Sequence, residues 1–253
     1  FPYTEEGEPC RDRTPWRHAY FGDLHVHTAL SADAYQQDVR TQPEDAYAFA
    51  QGRSIEFLGA HVTIDRPLDF AAVTDHAEYL GDLGRCTAPL DPAYGTPACA
   101  AVRNGSGAAF NVLQAAFDEN PEGTMSERVI RALKVLFESE DPKRETTLCG
   151  EKGERCKAAL SSAWLKIQTA AERAYDRSAE CKFTTFVGYE YSGVRTGSNY
   201  HRNIIFRNAK VPLSPVSYLD ARQDYLLWQR LESNCTKGIA GCDYLAIPHN
   251  SNL

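Results

Sequence analysis

Five short segments of the chain have the apolar pattern of β-strands, and each one ends beside polar residues. The segment LDFAAVT is a continuous apolar run, which is typical of a strand buried on both faces. The predicted strands are Ala19–His27, Leu68–Thr74, Phe183–Tyr191, Asn203–Phe206 and Tyr244–Pro248. Apolar residues at helical spacing predict helices over Pro43–Gln51, Ser126–Glu138, Lys157–Ala179 and Asp224–Glu232.

The order of strand, polar cluster and helix repeats along the chain, and this order predicts an α/β fold with parallel strands. Residues 1–18 are polar and contain several prolines, which predicts an extended lead-in before a main domain over residues 19–253. Residues 81–182 show no further strand pattern. We expect them to form a mostly helical, cap-like insertion, because structureless loops of this length are rare in compact domains.

The charge and composition narrow the class of protein. Hydrophobic residues make up 43% of the chain, which suits an ordinary globular core. A formal net charge of −7 disfavours a role that depends on contacts with a nucleic-acid backbone. The chain has no apolar run long enough to span a membrane.

Eight cysteines lie in polar, loop-like stretches, and none of them forms a C-x-x-C pair. Three local pairs are plausible disulfides and leave one long-range pair. They are Cys86 with Cys99, Cys149 with Cys156, Cys235 with Cys242 and, by remainder, Cys10 with Cys181. Spacing alone does not fix the connectivity, and buried free thiols in a cytosolic protein are the alternative. We favour disulfides and an extracytoplasmic location, periplasmic or secreted.

Five of the seven histidines lie at the edges of predicted strands, and this distribution is the main indication of chemistry. His25 and His27 are two residues apart on a strand, so both side chains point to one face and can bind one metal ion. Asp33 follows in a loop and offers a carboxylate oxygen. His201 begins one strand and His249 directly follows another.

Two acidic positions admit both a structural and a functional interpretation. Asp75, which precedes His76, is a candidate metal ligand, but it can equally cap a helix, with Glu78 completing a capping box. Glu190 lies in the apolar and aromatic strand VGYEY. It either faces solvent in an alternating strand or, if buried, needs a partner such as a metal ion.

Three further residues are candidates for substrate binding. Arg195 and Arg202 lie close to Glu190 and His201 in sequence, and Asn250 follows His249. Their side chains can bind an anionic group by charge-assisted hydrogen bonds. Ordinary surface charge explains the two arginines equally well.

The motifs YFGDLHVHTALSADAY, FAAVTDHAEYLG, FVGYEYSG, YHRNIIF and IPHNSN together resemble the polymerase-and-histidinol-phosphatase (PHP) superfamily. They look like its PHP-like branch, domain-of-unknown-function family 3604. The resemblance implies a distorted seven-stranded (β/α) barrel with two or three divalent ions, Zn, Mn or Fe, at the C-terminal ends of the strands. It implies the ligands His25, His27, Asp33, His76, Glu190, His201 and His249, with Glu190 bridging two ions.

One motif of the superfamily, a later D-x-H, is absent from the chain, which stops at Leu253. We therefore expect an incomplete barrel here, completed by a missing C-terminal part of the same barrel. The resemblance implies a metal-dependent hydrolase acting on a small anionic ester, a phosphate or a sulfate. Glu190, His76 and Arg202 are expected to take part in catalysis, and Arg195, Arg202 and Asn250 in substrate binding.

Two other classes stay open at this stage. An amidohydrolase also begins with H-x-H, but it usually bridges its metal ions with a modified lysine, whereas this chain has Glu190 on the corresponding strand. A non-catalytic module that binds metal or glycan is the second alternative.

Overall fold

The computed structural model describes residues 7–104, 146–195 and 198–249. Its main sheet has five strands in the order β1-β4-β5-β6-β7, and a separate two-stranded hairpin is formed by β2 and β3. The strands are β1 (Gly22–Val26), β2 (Ile55–Phe57), β3 (Ala60–Val62), β4 (Phe70–Val73), β5 (Thr184–Arg195), β6 (Ser198–Phe206) and β7 (Tyr244–Pro248). The fold is therefore α/β, as predicted.

The main sheet is mixed, which corrects the prediction of parallel strands. Strand β4 pairs in parallel with β1 and with β5, whereas β6 is antiparallel to both β5 and β7. Strands β1, β4, β5 and β7 consequently run in one direction, and their C-terminal ends lie at one edge of the sheet. Only β6 runs against them.

The sheet is strongly curved. Strands β1 and β7 are its two edges, and in a flat sheet they would lie about 19 Å apart at about 4.8 Å per strand. In the structure the ring centroids of His25 on β1 and His249 after β7 are 4.1 Å apart. The Nδ2 group of Asn203 on β6 also donates to the carbonyl of Leu24 on β1. No closed barrel forms among the described residues.

The described residues form seven α-helices. They are α1 (Ala32–Gln36), α2 (Pro43–Ala50), α3 (Leu80–Thr87), α4 (Pro97–Arg103), α5 (Thr146–Cys149), α6 (Lys157–Ala174) and α7 (Asp224–Leu231), which continues as a π-helical turn. Helix α2 begins at Pro43, where the missing amide hydrogen has no cost, and Gln42 and Asp45 form a capping box. The sequence prediction for this helix is confirmed to within one residue.

Helix α6 is the main covering element, although it lies within the segment expected to form an insertion. Its residues Trp164 and Ile167 are fully buried in the same core as Tyr189 of β5 and Ile204 of β6. Helix α3 packs closely on α6, since a Cβ atom at Gly81 would lie 2.7 Å from the Cys156 carbonyl oxygen. The part of residues 81–182 that forms α6 thus belongs to the core. The helix predicted over Ser126–Glu138 lies outside the described residues.

The hairpin of β2 and β3 was not predicted from sequence. Its two-residue turn places Leu58 and Gly59 at φ values of 49° and 79°, as a tight hairpin requires. Leucine is rare in this backbone region, so no turn pattern marks the position. Residues 7–18, near the start of the chain, form no helix or strand and are exposed.

All eight cysteines form disulfides, and all four predicted pairs are confirmed. The bridges are Cys10–Cys181, Cys86–Cys99, Cys149–Cys156 and Cys235–Cys242. Disulfides of this number fit an extracellular protein, because oxidising compartments preserve them. Within the described residues, no helix has the length and apolar character needed to cross a bilayer.

Candidate metal centre

The candidate site lies on the face of the sheet opposite the main helical core. On β5, Glu190 and Ser192 point to this face, because alternate residues of a strand share a face. The register of β5 and β6 pairs Glu190 with Asn203 and Ser192 with His201. Directly opposed residues lie on the same side of a sheet, so all four side chains meet there.

Glu190 is the centre of the site and is fully buried. Its Oε2 atom lies 2.8 Å from Nε2 of His27 and 3.1 Å from Nε2 of His25. Its Oε1 atom lies 2.8 Å from Nδ1 of His201, and Nε2 of His249 is 3.6 Å from Oε2. Oε2 therefore faces His25, His27 and His249, whereas Oε1 faces His201.

A further group of ligand atoms adjoins Glu190. Asp33 Oδ2 lies 2.9 Å from His27 Nδ1 and 3.4 Å from His76 Nε2. The backbone of His76 is held beside β5, because it forms a β-bridge with Glu190 and the amide of Ala77 donates to the Glu190 carbonyl. Three sets of side chains thus have ligand atoms within 4.8 Å of one another: His25, His27 and Glu190; His27, Asp33 and His76; Glu190, His201 and His249.

The electrostatics of the cluster favour a positive charge between its carboxylates. Burial by itself lowers the pKa of His27, but hydrogen bonds with Asp33 and Glu190 outweigh it and raise that pKa to about 10. Burial opposes ionisation of Glu190 and Asp33, yet contacts with the surrounding histidines hold the pKa of both carboxyl groups well below the usual range. The acids are ionised, and in the absence of metal a proton held by His27 balances part of their charge.

The donor set fits divalent metal ions. Imidazole nitrogens mixed with carboxylate oxygens suit Zn²⁺, Mn²⁺ and iron. In addition, Nδ1 of His249 is buried and has no hydrogen-bond partner among the described residues. A buried ring nitrogen without a partner is costly, and a metal ion is one group that would satisfy it.

A fourth group of potential ligands does not fit a metal ion. Asp82 lies beside Cys149 and Cys156, all of them buried. The two sulfur atoms are bonded to each other, so neither is a thiolate and the sulfur of Cys149 has no proton to donate to Asp82. This group is part of a disulfide-bonded core.

Asp75 lies beside the cluster but has other partners. Its carboxylate accepts hydrogen bonds from the backbone amide of Thr28, at 2.6 Å, and from the Thr28 hydroxyl, at 2.8 Å. Burial raises its pKa to about 6, although those hydrogen bonds act in the opposite direction. Asp75 thus fixes the strand end that carries His27, and it belongs to none of the three ligand groups.

The alternative interpretation of Asp75 as a helix cap is wrong. Helix α3 begins at Leu80, with Tyr79 in the capping position. Glu78 forms no capping box; its Oε1 atom accepts from the amides of Ser192 and Tyr218.

Of the three expected substrate-binding residues, only the side chain of Arg202 is among the described residues, and it does not reach the cluster. Arg202 faces the opposite side of the sheet, because it is paired with Tyr191 and lies between His201 and Asn203. Its guanidinium lies over the rings of Tyr191 and Trp228. The side chain of Arg195, at the end of β5, and all of Asn250 lie outside the described residues.

Sequence reasoning missed two polar residues of the site, Ser192 and Asn203. Ser192 donates to Glu190 Oε1 at 2.8 Å, and Asn203 Oδ1 lies 3.2 Å from His249 Nε2. Both are two residues from a predicted ligand along a strand. The period-two alternation of strands would have found them.

These features define an α/β protein with a buried cluster of histidines and carboxylates on one face of a curved sheet. The profile of the family described as "Protein of unknown function (DUF3604)" matches residues 14–253, and the chain belongs to this family. No curated protein and no solved structure matches the chain.

Proposed function

We propose that this chain forms the metal site of a metal-dependent hydrolase of the PHP type that cleaves a small anionic ester. The observation that carries the proposal is the convergence of three histidine and carboxylate groups around the buried Glu190. Such a cluster is expensive to bury unless cations compensate it. The class of reaction follows from the chemistry that such ions perform.

The shape of the sheet supports a barrel of the PHP type. Helices lie on one face and the polar cluster lies on the other, as in the wall of a (β/α) barrel. The curvature that brings His25 next to His249 is the curvature such a wall needs. Candidate ligands lie at or just after the C-terminal ends of β1, β4 and β7, where barrels of this class carry their sites, whereas Glu190 lies within β5 and His201 on the antiparallel β6.

The ligand groups suggest two or three ions of Zn, Mn or Fe. His25, His27 and Glu190 would hold one, Glu190, His201 and His249 a second, and Asp33 with His76 would contribute to a third. When bound, such ions supply Lewis acidity, which makes a water molecule more acidic and polarises the phosphorus or sulfur centre. Glu190, which belongs to two of the three groups, would contribute to holding both of their ions, and His76 would act as a ligand beside Asp33.

A groove formed by the loop after His27 and by helices α3 and α6 is the proposed site for the organic group of the ester; none of the candidate ligands lines it. It has a volume of about 660 Å³, within the range of small-molecule sites. The loop between His27 and Asp33 supplies Ala29 and Leu30 to one wall, and helix α6 supplies Lys166 to another. The groove therefore shares a loop with the ligands and adds a cation for an anionic substrate.

The ammonium of Lys166 supports an anionic ligand in this groove. It is half-buried, and its hydrogen-bond partner is the neutral Gln42 Oε1, at 2.6 Å. No carboxylate of the described residues forms an ion pair with it. A half-buried cation of this kind is stabilised by a negative group on a ligand.

The location we propose is extracytoplasmic, because four disulfides would not persist in a reducing cytosol. The protein for the assay should accordingly be produced in an oxidising compartment.

The test combines metal analysis with a substrate panel. The purified protein is measured for bound metal and assayed on an aryl phosphomonoester, a phosphodiester, a sulfate ester, an amide and a lactone. We expect bound divalent metal and ester turnover that a chelator abolishes and added metal restores. Turnover of the amide or lactone alone would point to an amidohydrolase, and a metal-free protein inactive on every substrate would refute the proposal.

A further inference from the structure

Ser192 connects two of the three ligand groups through one hydroxyl. Its Oγ atom donates to Glu190 Oε1 at 2.8 Å and is also in hydrogen-bond contact with His76 Nδ1. The other ring nitrogen of His76, Nε2, faces Asp33 Oδ2 at 3.4 Å. The hydroxyl thus lies between the carboxylate of Glu190 and the ring of His76, which belongs to the group with Asp33.

The direction of these hydrogen bonds follows from the number of protons. A serine hydroxyl has one proton, and an ionised carboxylate only accepts. Because Ser192 gives its proton to Glu190, it must accept one from His76, which therefore carries a hydrogen on Nδ1. In the neutral imidazole this leaves the lone pair on Nε2, directed toward Asp33.

The backbone holds Ser192 in this position. The Ser192 amide donates to the buried Glu78 Oε1 at 3.1 Å, and the Glu190 amide donates to the Asp75 carbonyl at 3.0 Å. Together with the bridge between His76 and Glu190, these bonds fix the distance from β5 to the His76 ring. The hydroxyl cannot leave its place between the two groups unless the side chain rotates.

We propose that Ser192 is a positioning residue that fixes the tautomer and orientation of His76, so that Nε2 is presented to a divalent ion shared with Asp33. Histidine ligands of metal ions commonly donate their second ring nitrogen to an outer partner of this kind. The inference rests on the proposed function, since it requires that the cluster bind metal. It adds a second link between Asp33 and Glu190, beside the one that His27 supplies through its two ring nitrogens.

The test uses Ser192→Ala, which removes the hydroxyl, and Ser192→Thr, which keeps one on the same strand. Ser161→Ala, on the exposed side of α6, is the matched control. Each protein is titrated with Zn²⁺ alone, and the ring nitrogens of its histidines are then observed by ¹⁵N NMR. His76→Ala identifies the ion and the NMR signals that belong to His76.

In the wild type we expect a His76 signal with Zn²⁺ at Nε2 and hydrogen at Nδ1. Ser192→Ala should lower the affinity for one Zn²⁺ ion, the ion that is lost in His76→Ala. The loss of affinity should be roughly 10–100-fold, the usual effect of losing a hydrogen-bond partner of a ligand. Ser192→Ala should also lose the Nδ1–H signal. Ser192→Thr should restore both, and Ser161→Ala should match the wild type.

Wild-type Zn²⁺ affinity and an unchanged Nδ1–H signal in Ser192→Ala would overturn the role of Ser192 and leave the proposed function intact. A wild-type protein that binds no Zn²⁺ would overturn both. An affinity lost equally in Ser192→Ala and Ser192→Thr would also overturn the inference, because the hydroxyl would not then be the group that matters.

Discussion

The substitution Glu190→Gln is the most direct test of the cluster, because it replaces a charged carboxylate by a neutral amide of the same shape. Glu190 is fully buried, and its oxygens lie 2.8–3.1 Å from the rings of His27, His25 and His201. It belongs to two of the three ligand groups. The change should therefore weaken the binding of two ions at once.

The expected magnitude follows from comparison with weaker perturbations. Loss of an outer partner of a ligand weakens metal binding by roughly 10–100-fold, so loss of a shared ligand should cost at least about 100-fold per ion. This factor corresponds to about 2.8 kcal/mol. At free metal about 1,000 times the wild-type Kd, an ion stabilises the fold by about 4.1 kcal/mol, and a 100-fold weaker site by about 1.4 kcal/mol.

The assay is thermal unfolding with and without Zn²⁺ or Mn²⁺. The lost stabilisation of about 2.7 kcal/mol per ion should reduce the metal-induced rise in Tm by roughly 5–11 °C for a chain of this size. Glu56→Gln, at an exposed position of β2, should keep the wild-type rise. An equal rise in Glu190→Gln and wild type, with equal bound metal, would refute the bridging role of Glu190.

Metal affinity should rise with pH, because the pKa of His27 is about 10 without metal and an ion must displace that proton at neutral pH. Calorimetry in buffers of different ionisation enthalpy would show the release of this proton, and its absence at pH 7 would contradict the reasoning. In the metal-free protein, the stabilisation that follows from the raised pKa of His27 is complete below about pH 6.5 and is lost as the pH rises through about 10. Replacing both Cys10 and Cys181 by serine should destabilise the oxidised protein by roughly 2–5 kcal/mol, since the bridge closes a loop with a sequence separation of 171. A shift in the denaturation midpoint worth less than about 0.5 kcal/mol would speak against it. Ile167→Ala should cost roughly 2–5 kcal/mol and Leu165→Ala, half-exposed on the same helix, much less; equal losses in denaturant unfolding would show that α6 is not part of the core.

The positions of the candidate ligands could be predicted from sequence because strands impose a period of two. His25 and His27 share a face for this reason, and Glu190 stands out as an acid in an apolar strand. The same rule, carried two residues further, places Ser192 and Asn203 in the site. It also places Arg202 on the opposite face, since it lies one residue after His201.

The direction of β6 was not predicted because its pattern of apolar residues is the same in either direction. The interval between Tyr191 and Asn203 is nevertheless too short for a helical crossover, which needs about a dozen residues or more. In the structure, β5 and β6 both extend into this interval and form an antiparallel pair. Loop length was therefore a better guide to strand direction than the repeating order of elements.

The role of Asp75 could not be read from sequence, because an acid beside a histidine fits a ligand, a cap and a structural acceptor equally well. What decides is the position of Thr28, which is distant along the chain. Contacts of this kind depend on the pairing of β1 with β4, and local patterns do not contain them.

The antiparallel pairing of β5 with β6 makes the site sensitive to the length of the connection between them. Adding one residue there would shift β6 by one position and turn every side chain of the strand over. His201 would move into the apolar core, Tyr200 would take its place in the site, and the Arg202 guanidinium would take the place of Asn203. Natural variation in this connection should therefore occur in steps of two residues.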